Sequence, residues 1–146
     1  MNLSELIAHQ PDEDTLRLWL KKIPYAAYLG IDAEVRGNEI LFILPADDKL
    51  IGNPTLPAIH GGVVGAFMEH AATFHLVAKM DTPVLPKIID FSLDYLRPAR
   101  LLATYASCKV TRQGKFIANV SVSAWQEQSD QPNAIARAHF LIPEND

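Results

Sequence analysis

Eight residues after the first glycine of His60-Gly61-Gly62 stands Glu69, set in the apolar stretch "AIHGGVVGAFMEHAATFHL" from Ala58 to Leu76. A helix that begins at those glycines offers backbone N–H groups with no intrahelical partner, at the positive end of its dipole. Residues without side chains let an acceptor come close, so Gly61 and Gly62 suit a phosphate or an oxyanion. The same glycines would equally serve a turn or tight packing against a sheet.

Glu69 adds weight, because a carboxylate within an apolar helix is costly to desolvate and such groups gather at functional sites. Thr73 lies one turn on, on the same face, where its hydroxyl would reach the carboxylate or a water beside it. A structural glutamate that reaches solvent is the competing reading. His60 reads as a hydrogen-bonded supporting residue. His70 and His75 are five apart and share no face, and there is no HExxH spacing, so no metal site is expected.

Gly61 and Glu69 would be separated by roughly 12 Å along a helix axis, at about 1.5 Å per residue. One carbonyl cannot easily meet both within a single chain. If both act on one reacting group, the glutamate comes from a second, antiparallel copy of the helix, which requires a two-fold homodimer with two composite sites.

The elements that must hold these residues follow from periodicity. Leu3 to Lys22 has apolar residues at three- and four-residue steps around Pro11 and predicts one or two short amphipathic helices that cap the domain. "IDAEVRGNEILFILP" from Ile31 to Pro45 predicts a hairpin divided at Gly37-Asn38, and Asp47 to Pro57 a breaker-rich loop. Val63 to Met80 predicts a helix apolar on nearly all sides. In "KIIDFSLDYL", Ile89, Phe91, Leu93 and Tyr95 alternate with Asp90, Ser92 and Asp94, which predicts a strand with one dry face. Strands over Ala103–Thr111, Phe116–Trp125 and Ala134–Ile142 follow, with turns at Gln113-Gly114 and at "EQSDQPN". A helix apolar all round is best enclosed by a curved antiparallel sheet, so the class is α+β.

The chain has 146 residues, 49% hydrophobic and 21% charged, which fits one ordinary globular domain, 1–146, with 1–22 its N-terminal helical segment. A net charge of -4 gives no footprint for nucleic acid or an anionic membrane. The single cysteine, Cys108, excludes an intrachain disulfide and fits a cytoplasmic setting. No apolar run reaches the roughly 18 residues of a membrane span, and neither a signal peptide nor an anchor is read.

"GNPTLPAIHGGVVGAFMEHAA" together with "IIDFSLDYLRPA" resembles the hotdog-fold acyl-CoA thioesterases of the phenylacetate-degradation (PaaI-like) type, over about Ile23 to Ile142. The resemblance implies a long helix wrapped by a curved antiparallel sheet, in a homodimer whose sheets run into one another; it leaves open a dimer and a dimer of dimers. It implies that the Gly61 N–H polarises the thioester carbonyl and that Glu69 of the other subunit drives hydrolysis; Gly62 and His60 stand beside them as site residues on the helix-start reading above. Thr73 matches a threonine of some relatives that use glutamate. Asn53, or Pro54 if the spacing slips by one, resembles the residue that positions the lytic water. Many relatives have Asp at position 69, which leaves both a nucleophile and a general base open for Glu69, with the base favoured. Some also have a serine where Ile88 falls here.

A thioester suits this constellation, since its thiolate leaves without a strong general acid. Coenzyme A is then part of the substrate and no cofactor is expected. Arg97, Arg100, Arg112 and Lys115, at two strand ends, are the candidates for its phosphates. Two rivals remain: a hotdog dehydratase or hydratase that drafts His60 and Glu69, and an acyl-CoA-binding protein that does not catalyse.

Overall fold

The computed structural model describes residues 11–81 and 84–144. The first part of the expected N-terminal helical segment, 1–10, lies outside the described residues. Its second part is α1, Glu13–Lys22, followed by α2, Pro24–Leu29. Asp12 caps α1 by accepting from Thr15 N at 2.8 Å, with Glu13 and Asp14 in the first turn and Lys21 and Lys22 in the last, charges that match the helix dipole. Leu16 and Leu20 are buried beneath it. Pro24 opens α2, and Gly30, at φ 76°, closes it in the left-handed conformation.

The expected hairpin is β1, Asp32–Arg36, and β2, Glu39–Leu44, turning at Gly37 with φ 62°. α1 seals the outer edge of β1: Glu13 accepts from Val35 N at 2.9 Å, and Arg17 binds Asp32 at 2.9 Å. The segment expected to be loop contains a 3-10 turn, Asp48–Leu50, and β3, Ile51–Asn53, which pairs with β4, Ala58–Ile59. Helix α3 runs from Gly61 to Lys79. Four strands follow: β5, Lys87–Tyr95; β6, Thr104–Gln113; β7, Ile117–Trp125; and β8, Ala134–Leu141.

The antiparallel sheet has the order β1-β2-β6-β7-β8-β5 and curves around α3, a hotdog arrangement of class α+β. Bulges between Ile88 and Asp90 and between Val110 and Arg112 strengthen its twist. Its inner face carries Ala106, Ala118, Ala124, Ala136 and Ala138, all buried, and such small residues let the helix approach closely. Phe67, Met68 and Leu76 of α3 then fill the space between, against Phe42 and Phe140. The bulge corrects one expectation. Ile88, Phe91 and Leu93 of β5 turn inward, whereas Ile89 is 56% exposed, because the extra residue shifts the alternation by one.

Nor is α3 enclosed on all sides. Val63, Ala66, Glu69, His70 and Thr73, spaced at three or four residues, stay only half-buried and form a stripe that the described residues cover in part, with the Tyr25 ring 5.8 Å from that of His70.

Candidate active site

The start of α3 accounts for its N–H groups one by one. His60 is the N-cap, and its Nδ1 accepts from Gly62 N at 2.9 Å. The His60 carbonyl takes the next two, from Val63 at 2.9 Å and Val64 at 3.2 Å. Of the first four, only the Gly61 N–H meets no acceptor among the described residues. Gly62 therefore differs from the expectation that paired it with Gly61, since its N–H is already committed. A Cβ on Gly62 would come within 3.0 Å of the His60 ring, so that glycine makes room for the cap.

Gly61 is held from the sheet side. Tyr95, the last residue of β5, donates its hydroxyl to the Gly61 carbonyl at 2.7 Å, and a Cβ on Gly61 would stand 3.2 Å from that oxygen. Gly52, in β3, is equally constrained, because a Cβ there would lie 2.6 Å from His60 Cα. Sequence reasoning missed both positioning residues. Tyr95 looked like one more member of an alternating strand; the only signal for Gly52 was its place in a breaker-rich segment that precedes the cap.

Gly61 lines a cavity of about 380 Å³ together with Asn53, Val64, Tyr95, Arg97 and Ala134 among others. Asn53 contributes from the end of β3, and its Oδ1 accepts from Thr55 N at 3.0 Å, which fixes the side chain in a local turn. Pro54 does not line the cavity. Arg97 also borders an adjoining cleft with Arg100, whose backbone is clamped by Gln126 through bonds of 3.1 and 2.7 Å. Two arginines thus share one rim.

Arg112 and Lys115 are elsewhere. Tyr95 pairs with Ala134 and Ala134 with Ala124, so Arg97 and Arg100 follow the strand end where β8 begins; Arg112 and Lys115 sit at the β6–β7 turn, at the opposite end of the strands. The two strand ends expected to supply these cations are therefore opposite ends of the sheet within one protomer, since antiparallel strands put successive turns at alternate ends.

Glu69 lies two turns beyond Gly61 and does not line the Gly61 cavity. It is half-buried, not fully enclosed as an apolar helix suggested, and its carboxylate has no hydrogen-bond or ion-pair partner among the described residues. Thr73 does not reach that carboxylate; its hydroxyl donates to the Glu69 backbone carbonyl at 2.9 Å, a bond that its i−4 spacing makes local. His70 makes the equivalent local contact to the Ala66 carbonyl at 2.6 Å. Among the described residues no group of His, Cys, Asp and Glu could hold a metal ion, and no helix is long and apolar enough to cross a membrane.

The family model of the thioesterase superfamily matches residues 56–132, just over half of the chain, and spans the His60 cap, α3 and strands β5 to β7. The chain belongs to the thioesterase superfamily. Among solved structures, a protein from Chromobacterium violaceum is similar at 37% identity, with 99% of this chain and 98% of that one covered and a TM-score of 0.77. A phenylacetic acid degradation-related protein from Ralstonia eutropha shares the fold at 20% identity, with 86% and 98% covered and a TM-score of 0.74. A Bacillus halodurans protein solved with CoA does so at 18% identity, covering 89% and 88%, TM-score 0.76. No curated protein sequence matches.

Proposed function

We propose that the protein hydrolyses acyl-CoA thioesters at two composite sites of a homodimer. One observation carries the reading: Gly61, whose N–H has no acceptor among the described residues, lines a cavity, while Glu69, whose carboxylate has no partner among the described residues, lies on the half-buried stripe of α3 and does not line that cavity. A second α3, antiparallel across the stripe, would bring each Glu69 toward the other protomer's Gly61. The free outer edge of β5, last in the sheet order, gives the two sheets a place to join.

In the proposed reaction the thioester oxygen accepts the Gly61 N–H, which stabilises the negative charge that develops as water adds to the carbonyl carbon. The partner's glutamate takes the proton of that water, and Asn53 at the cavity wall orients it. The C–S bond then breaks and the thiolate of CoA leaves. Arg97 and Arg100 at the rim receive the CoA phosphates, in line with the CoA-bound structural neighbour. His60 acts as the cap, not as the β-carbon base of a hydratase, because its Nδ1 already accepts from Gly62.

A non-hydrolysing acyl-CoA-binding protein is the second reading, favoured by Ile88, which offers no hydroxyl where some relatives have serine. A panel of aryl, short and long acyl-CoA thioesters, assayed for free thiol with wild type and Glu69→Gln, separates the two. Thiol release that drops at least 100-fold in Glu69→Gln is expected. Binding without release from any thioester would instead establish the second reading, and release indifferent to the substitution would remove Glu69 from the mechanism.

A further inference from the structure

The β2–β6 ladder stops early. Phe42 pairs with Ala106, and in unbroken register Leu41 would next face Ser107, Ile40 face Cys108 and Glu39 face Lys109. None of these pairs forms, although β1 still holds β2 as far as Glu39 and β7 holds β6 as far as Gln113. All six residues instead line a cavity of about 720 Å³, larger than the one at Gly61 and within the range of roughly 300–1,000 Å³ typical of small-molecule sites. Side chains alternate along a strand, so Ile40 and Cys108 belong to the helix side and Leu41, Ser107 and Lys109 to the outer side. Residues from both faces of the sheet thus line the opening.

α3 supplies its polar wall. His75 and Lys79, one turn apart, both line the opening. His75 is only 6% exposed, and its Nδ1 is buried with no hydrogen-bond partner among the described residues, so the ring meets the opening through its other edge. Lys79 is anchored at the rim by its bond to the Asn38 carbonyl. Arg36 and Lys109 add positive charge there against Glu39 alone, although Arg36 is paired with Glu34 at 2.7 Å. Ile40 and Val110 give an apolar floor.

We propose that this opening is a second ligand site, which takes a small amphipathic carboxylate. Residues four apart on a helix are about 6 Å apart at Cβ, so one carboxylate group can accept from the His75 ring N–H with one oxygen and from Lys79 with the other. The hydrocarbon tail then lies across Ile40, Cys108 and Val110 in the gap that the missing strand pairs leave. Fourteen residues separate His75 from Gly61, about 21 Å along the axis, so the site is distinct from the Gly61 cavity and does not rest on the hydrolytic reading.

Octanoate is the probe, followed by amide chemical shifts of the full chain, with octan-1-ol as its uncharged counterpart. Octanoate is expected to shift Leu41, Ser107 and Cys108, and Lys79→Met to weaken it at least 10-fold while octan-1-ol binds as before. His75→Leu, checked by thermal melting for an intact fold, is expected to weaken octanoate similarly. Shifts confined to residues around Gly61, no shifts at all, or octanoate affinity unchanged in Lys79→Met would each overturn the proposal.

Discussion

His60 Nδ1 accepts the Gly62 amide at 2.9 Å, which leaves the Gly61 N–H as the donor at the start of α3 without an acceptor among the described residues. If the ring served only as a cap, another capping side chain would replace it. His60→Asn is expected to keep most of the thioesterase activity, whereas His60→Ala is expected to lose about 1 kcal/mol of stability and to lower kcat as the helix start loosens. Urea unfolding and steady-state kinetics on both variants check this.

Complementation between inactive protomers tests the shared site. Gly61→Val and Glu69→Gln are each expected to be inactive alone, but a hybrid dimer of the two contains one intact donor and one intact acid facing each other. Random one-to-one mixing after unfolding and refolding is expected to restore about a quarter of wild-type thiol release, because half of the dimers are hybrids with one working site of two. Zero recovery, with hybrids demonstrated by mass, would place donor and acid in one chain.

The Tyr95 hydroxyl ties the end of β5 to the Gly61 carbonyl at 2.7 Å. Tyr95→Phe is expected to cost about 1 kcal/mol in urea unfolding, the usual worth of one hydrogen bond, and to reduce kcat more than it raises KM.

The two pairs of basic residues are expected to behave differently. Arg97→Ala with Arg100→Ala should raise KM for acyl-CoA about 10-fold at low salt, the loss narrowing as salt screens the contact. Arg112→Ala with Lys115→Ala should leave KM unchanged, since these residues lie at the far end of the strands.

Burial, and then the nearby charge of Lys79, pushes the His75 pKa down to about 4 from 6.5. The unfolded chain thus binds this proton more readily than the folded one, and stability falls as pH drops from 6.5 to about 4, with no further loss from this residue below that. Between pH 7 and 4.5 the wild type is expected to lose about 2 to 3 kcal/mol more than His75→Leu, measured by urea unfolding at both pH values.

Much of this was legible in the sequence. The α3 helix, the Gly37 hairpin and the strands β5 to β8 follow from local periodicity and turn residues, because a helical or extended repeat is imposed by each residue's own neighbours. The eight-residue step from Gly61 to Glu69 likewise sets their separation on any straight helix.

Tertiary structure decided what depends on residues distant in sequence. Spacing alone sets Thr73 beside the Glu69 carboxylate, yet its hydroxyl donates to the Glu69 backbone carbonyl. Strand alternation put Ile89 inside until the bulge against β8 turned it out, and Arg112 parted from Arg97 only when the strand order was fixed. Which helix N–H stays free, where the β2–β6 ladder stops and what the His75 ring faces are set by pairing and packing between segments, and no local repeat encodes that.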